Sequence, residues 1–181
     1  MNMWRPLLKG GPPAVLLTFR NPLEVARSLR TRNVTRVENF SDGLKLWIWY
    51  NRMAIENSKG LCRVITSNDA ILQNHTQEIS RIGNELVRCG LPPKSLNVTA
   101  MNIFLNKEFM HSNATALSTS AKKSSSSLSN STCWIPSLQT VIKRRKAESD
   151  EEEIYKTAMN IFCDLQSGKA FQDDYIWPIL L

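Results

Sequence analysis

Ala14-Val-Leu-Leu-Thr-Phe-Arg-Asn-Pro-Leu-Glu-Val-Ala-Arg-Ser28 is the stretch on which the fold turns. Its first six residues form a nearly continuous apolar run, bounded upstream by Gly10-Gly-Pro-Pro13. Such a run predicts a strand buried on both faces, as in parallel sheets. The run stops at Arg20. Asn21 and Pro22 then supply an N-cap and a first-turn proline, and Glu24 stands at capping-box spacing from Asn21, so a helix is predicted from Leu23 to about Arg32. A strand running straight into a helix N-terminus can hold a phosphate, because the unpaired N–H groups of the first turn face an anion.

Outward from this junction the pattern continues as α/β. Leu44, Ile48 and Ile55 mark one stripe of a longer helix predicted from Ser41 to Lys59, with Trp47, Tyr50 and Ala54 beside it and Gly60 as its stop. Cys62-Arg-Val-Ile-Thr66 reads as a second strand. Ile79, Ile82, Leu86 and Cys89 recur at helical spacing, which predicts a helix from Asn74 to Cys89, opened by Asn74 with Gln77 and closed by Gly90 and Pro92. The order β-α-α-β-α is that of an α/β layer fold.

Beyond about His111 the composition changes. Ser112 to Thr132 is dominated by Ser, Thr, Asn and Ala, with almost nothing to bury, and is expected to be a low-complexity linker or surface insertion. Lys143-Arg-Arg-Lys146 and Asp150-Glu-Glu-Glu153 are adjacent blocks of opposite charge. Ile154, Ala158, Ile161, Phe162 and Leu165 then predict an amphipathic helix able to dock on the core. The expected organisation is an α/β core over residues 1–111, a Ser-rich linker with the basic run over 112–147, and a helix with a tail over 148–181.

Composition sets the outer bounds. A chain of 181 residues with 42% hydrophobic content is long enough for a real core. Cys62, Cys89, Cys133 and Cys163 are scattered without metal-ligand spacing, so neither a zinc site nor a disulfide framework is expected. The net charge of +7 is concentrated between Arg20 and Arg36, where Arg20, Arg27, Arg30, Arg32 and Arg36 face the single carboxylate of Glu24. Such a field suits a polyanionic ligand, and equally a solvated basic face. No segment reads as a signal peptide or a membrane span. Asn-x-Ser/Thr sequons occur at Asn33, Asn39, Asn74, Asn97, Asn113 and Asn130, a pattern met in lumenal proteins and also in chains rich in these residues.

The chemistry concentrates at Arg20 and Ser28. An arginine at a strand end presents a planar fork to two phosphate oxygens. Ser28, about two turns into the helix, adds a hydroxyl donor, so one phosphate is held from two sides. His75 and His111, the only histidines, are expected to be structural or surface residues. Trp47, Trp49 and Tyr50 lie at helical spacing and are expected to pack in the core. The chain has no Walker phosphate loop, HExxH pair or nucleophile elbow.

Arg20-Asn-Pro-x-x-Val-x-x-Ser28 resembles the 3′-phosphate-binding motif of sulfotransferases that use 3′-phosphoadenosine 5′-phosphosulfate (PAPS). Met3-Trp-Arg-Pro-Leu-Leu8, Leu44-Lys-Leu-Trp-Ile-Trp-Tyr-Asn51, Arg63-Val-Ile-Thr-Ser67, the helix ending near Gly90-Leu91, and Asn102 to His111 look like successive segments of the bacterial-type members. The resemblance covers roughly residues 3–111 and implies a partial P-loop-type α/β fold, three-layered around a parallel sheet. It implies that Arg20 and Ser28 bind the 3′-phosphate of PAPS or of its product PAP. In the full-length form a sulfuryl group would pass to an acceptor hydroxyl, on a carbohydrate among other options, with the catalytic base unassigned. Two departures accompany it. The 5′-phosphosulfate loop of the family, upstream of this strand, has no counterpart here, so the chain alone is expected to be inactive. Ser67-Asn68-Asp69 carries Asn where many relatives have Tyr.

A non-catalytic scaffold derived from the same fold is the alternative, with the low-complexity segment and charged helix doing the binding. Nucleic-acid binding would rest on charge alone and is not expected. Cytoplasm and Golgi lumen both remain open as compartments.

Overall fold

The computed structural model describes residues 13–32, 37, 39–95, 97, 99, 133 and 149–178. The Ser-rich stretch 112–132, the basic run 143–146, the segment 102–111 and His111 lie outside the described residues. In chain order the elements are β1 (Ala14–Phe19), α1 (Pro22–Thr31), α2 (Phe40–Asn57), β2 (Cys62–Ser67), α3 (Asn68–Gln73), α4 (His75–Arg88) and α5 (Ser149–Gln166), followed by a 3-10 turn at Lys169–Phe171. The chain is mixed α/β, with the predicted parallel pairing: β1 lies beside β2 in the register Ala14↔Cys62 to Phe19↔Ser67.

Local chemistry sets the boundaries. Asn21 caps α1, its Oδ1 accepting the Leu23 N–H at 2.9 Å, and Pro22 opens the helix where a missing N–H costs nothing. Asp42 accepts the Asn39 N–H at 3.0 Å at the start of α2, and Gly60, at φ 72°, takes the chain out of it. The predicted helix over 74–89 is preceded by a separate one, α3. Ser67 Oγ caps α3 by accepting the Ala70 N–H at 3.1 Å, so Asn74 both closes α3 and opens α4. Gly90, at φ 88°, ends α4.

The side chains of the parallel pair alternate between two cores. Leu17, Phe19 and Ile65 face the larger one, with Leu23 and Ala26 of α1, Leu44, Trp47, Ile48 and Ile55 of α2, and Tyr155, Ala158, Met159, Ile161, Phe162 and Leu165 of α5. The C-terminal helix is thus part of the main core, and each of its fully buried large apolar side chains is worth about 1.5–3 kcal/mol. Burial pushes the Tyr155 phenol up to about 12. On the opposite face Val64, Ile82 and Cys89 form a smaller cluster with Ala14 and Leu86, roofed by α4.

That smaller cluster corrects the expectation that β1 is buried on both faces. Leu16 is 46% exposed and Thr18 is also exposed, because α4 packs over β2 and does not extend across β1. α2 carries a second correction. Trp47 is buried, but Trp49 and Tyr50 are 52% and 60% exposed, stacked edge to face at 5.0 Å. The helix buries one stripe, and these two residues lie off it.

α1 and α2 approach so closely that a Cβ on Gly43 would lie 2.9 Å from both Cα and Cβ of Ala26. The tail after α5 is tied to it by Tyr175, whose hydroxyl donates to Asp164 Oδ2 at 2.8 Å, and to β2 by Arg63, whose Nη2 donates to the Phe171 carbonyl at 3.0 Å. Burial and the Asp164 hydrogen bond together raise the Tyr175 pKa.

The cysteines correct a third expectation. Cys62 is joined to Cys89, with Cα atoms 5.6 Å apart, and Cys133 to Cys163, with Cα atoms 5.7 Å apart. The first link fastens the start of β2 to the end of α4, and the second ties residue 133 to α5. Sequence separations of 27 and 30 resemble no metal or short disulfide motif, and only the folded backbone brings each pair together.

Candidate functional site

β1 and β2 run parallel and end in register, so Arg20 and Ser67-Asn68-Asp69 emerge side by side at the carboxyl edge of the sheet, each leading into a helix. This edge is where α/β folds place their ligands. The turn at Arg20 is fixed from the core: the indole Nε1–H of buried Trp47 donates to the Arg20 carbonyl at 2.9 Å. With Asn21 capping the helix, the backbone on either side of Arg20 is held.

Glu24 and Ser28, four residues apart, share one stripe of α1, and Arg20 lies just before the Asn21 cap. Arg20 Nε donates to Glu24 Oε2 at 2.7 Å, with the two side chains 32% and 22% exposed. The guanidinium is therefore held on the first turn of α1, and half-buried Ser28 lies in the second turn of the same helix. From Pro22, the first residue of α1, to Ser28 the helix rises about 9 Å.

Two carboxylates shape the electrostatics. Glu24 holds the guanidinium directly. Asp69, in the first turn of α3, has its pKa raised first by burial and then by the negative charge of Glu24, with Arg20 acting in the opposite direction. One guanidinium thus faces two carboxylates, and the arginine-rich field expected from sequence is offset locally.

The first turn of α1 also offers fewer donors than the sequence suggests. Pro22 has no N–H, and that of Leu23 is taken by Asn21. A bound anion would depend on side chains more than on the helix terminus.

No family model, curated protein or solved structure matches the chain. Among the described residues no group of three or more His, Cys, Asp or Glu side chains is placed to hold a metal ion, and no helix is long and apolar enough to cross a membrane. His75 begins α4, remote in sequence from the Arg20 turn.

Sequence reasoning read Glu24 as a capping residue and as the single carboxylate of the basic stretch, and missed Asp69. The Arg20–Glu24 pair was readable, since an arginine and a glutamate four residues apart at a helix start commonly meet. Asp69 joins the site only through the pairing of β1 with β2, which no local signal announces.

Proposed function

We propose that the carboxyl edge of β1 binds the 3′-phosphate of an adenosine 3′-phosphate nucleotide, PAPS or PAP, as in sulfotransferases, through Arg20 and Ser28. In a full-length protein this half-site would serve sulfuryl transfer to an acceptor hydroxyl. The observation that supports the reading most is the Arg20 turn itself: an arginine at the end of a parallel strand, its carbonyl anchored by Trp47 and its guanidinium held on Glu24 at the start of α1, the helix that carries Ser28. The Arg20 fork supplies charge and two parallel donors, and the Ser28 hydroxyl fixes the phosphate from the far side. Glu24 must release Arg20 for the phosphate to enter, so binding exchanges one anion for another.

Calorimetric titration with adenosine 3′,5′-bisphosphate tests this, with 5′-AMP as control and Arg20→Ala and Ser28→Ala as variants. Saturable binding that requires the 3′-phosphate and is lost in both variants is expected. Absence of binding by the folded chain would refute it. It would favour a scaffold role, a reading supported by one specific observation, the Glu24 carboxylate already seated on Arg20.

A further inference from the structure

Two observations unconnected with the Arg20 site point to the same chemistry. All four cysteines are paired, Cys62 with Cys89 and Cys133 with Cys163. Disulfides of this structural kind form and persist in secretory and extracellular compartments and are rare in a reducing cytosol. The second observation is Asn74-His75-Thr76, a sequon whose three residues are all described and whose Asn and Thr are both exposed.

Asn74 is the N-cap of α4, and its side chain works with both ends. Oδ1 accepts the Gln77 N–H at 3.4 Å, and Nδ2 donates to Gln77 Oε1 at 2.6 Å. A sugar attached through Nδ2 leaves the carbonyl and one N–H in place, so both contacts survive the modification. Beyond Asn74 an open groove of about 560 Å³ runs along the outer face of α4, lined by Thr76, Gln77, Ser80, Asn84 and Arg88. Hydroxyl, amide and guanidinium groups of this kind hydrogen-bond to sugar hydroxyls, and the groove has room for the first residues of a glycan.

We infer that Asn74 is an N-glycosylation site and that the chain matures in an oxidising secretory lumen. In the modification, Nδ2 attacks the anomeric carbon of a polyprenyl-diphosphate-linked oligosaccharide. The N–C bond forms as the bond from that carbon to the diphosphate oxygen breaks, the diphosphate leaves, and Nδ2 loses one proton. Each disulfide forms by thiol exchange with an oxidised dithiol carrier of that lumen, which takes up the two electrons and two protons.

The test uses the full chain, made behind a cleavable secretion leader in a eukaryotic host and read on total lumenal and secreted protein. Peptide-N-glycosidase digestion in heavy-oxygen water, followed by peptide mass mapping, is expected to convert Asn74 to labelled Asp. Non-reducing mapping is expected to find the 62–89 and 133–163 links. Thr76→Ala should abolish the label at Asn74 while leaving the cap intact, so the enzymatically deglycosylated variant melts with the wild type. Asn74→Gln should lose label and cap together. Unmodified Asn74 in lumenal protein would overturn the inference. So would a reduced, four-thiol chain from the cytosol that folds as stably as the oxidised one.

Discussion

Placing one methyl group on Gly43 tests whether α1 and α2 are as closely packed as described. In an open helix interior, Gly→Ala gains about 0.8–1 kcal/mol. At Gly43 the new Cβ would lie 2.9 Å from Cα and Cβ of Ala26, and the first of these is a backbone atom that cannot rotate aside. Overpacking of this kind costs about 1–3 kcal/mol, and a backbone clash belongs in the upper half of that range. The net expectation for Gly43→Ala is a loss of about 1–2 kcal/mol, or a fall in Tm of about 2–8 °C for a chain of this size. Gly83, inside α4, supplies the control, because a Cβ there meets nothing within 4 Å. Gly83→Ala should gain up to about 1 kcal/mol, a rise in Tm of about 2–4 °C. Thermal melts followed by circular dichroism compare the two. A Gly43→Ala protein stabilised as much as Gly83→Ala would refute the close approach of α1 and α2.

Further outcomes follow from the same geometry. Glu24→Gln should tighten adenosine 3′,5′-bisphosphate binding by up to about fivefold, since a part-exposed ion pair is worth about 0.2–1 kcal/mol; weaker binding in calorimetry would show that Glu24 supports the phosphate. Replacing Cys62 and Cys89 together by Ser should cost about 2–4 kcal/mol by chemical denaturation, from the loop that the bond closes; an unchanged midpoint would show the link to be idle. Asp69 has a folded pKa above its unfolded value, so it binds its proton more tightly when folded, and its contribution to stability falls as pH rises through the carboxylate range. Asp69→Asn should therefore stabilise the protein at neutral pH and leave it little changed below about pH 3, which melts across that interval would read. Glu78 runs the other way. Its hydrogen bond from Arg81 lowers its pKa, so the stability it lends is present at neutral pH and is lost as pH falls through that lowered value.

The legible parts of the fold were those encoded by neighbouring residues. The apolar run 14–19, the Asn21-Pro22 helix start and the Gly60 stop each act within a few residues, and each element appears where its signal lies. α3 was missed because six residues carry too little periodicity to stand out beside the stronger Asn74 signal. The disulfides, the exposure of Leu16 and the place of Asp69 depend on which helix covers which strand. That arrangement is set by packing among distant segments, so the Arg20 turn and its neighbour Glu24 were readable while Asp69, the second carboxylate acting on Arg20, was not.

The composition of the larger core bears on how the protein is made. Phe19, Leu23, Leu44 and Ile48 leave the ribosome early, but the residues that seal them, from Tyr155 to Leu165, belong to α5. At about 5–20 residues per second, the roughly hundred residues separating β2 from the end of α5 take on the order of 5–20 s to translate. Throughout that interval the nascent sheet, with α1 and α2 packed on it, presents an apolar face that lacks α5, a substrate for chaperones and a hazard for aggregation. Final closure of this core is thus a post-β2 event timed by translation of α5.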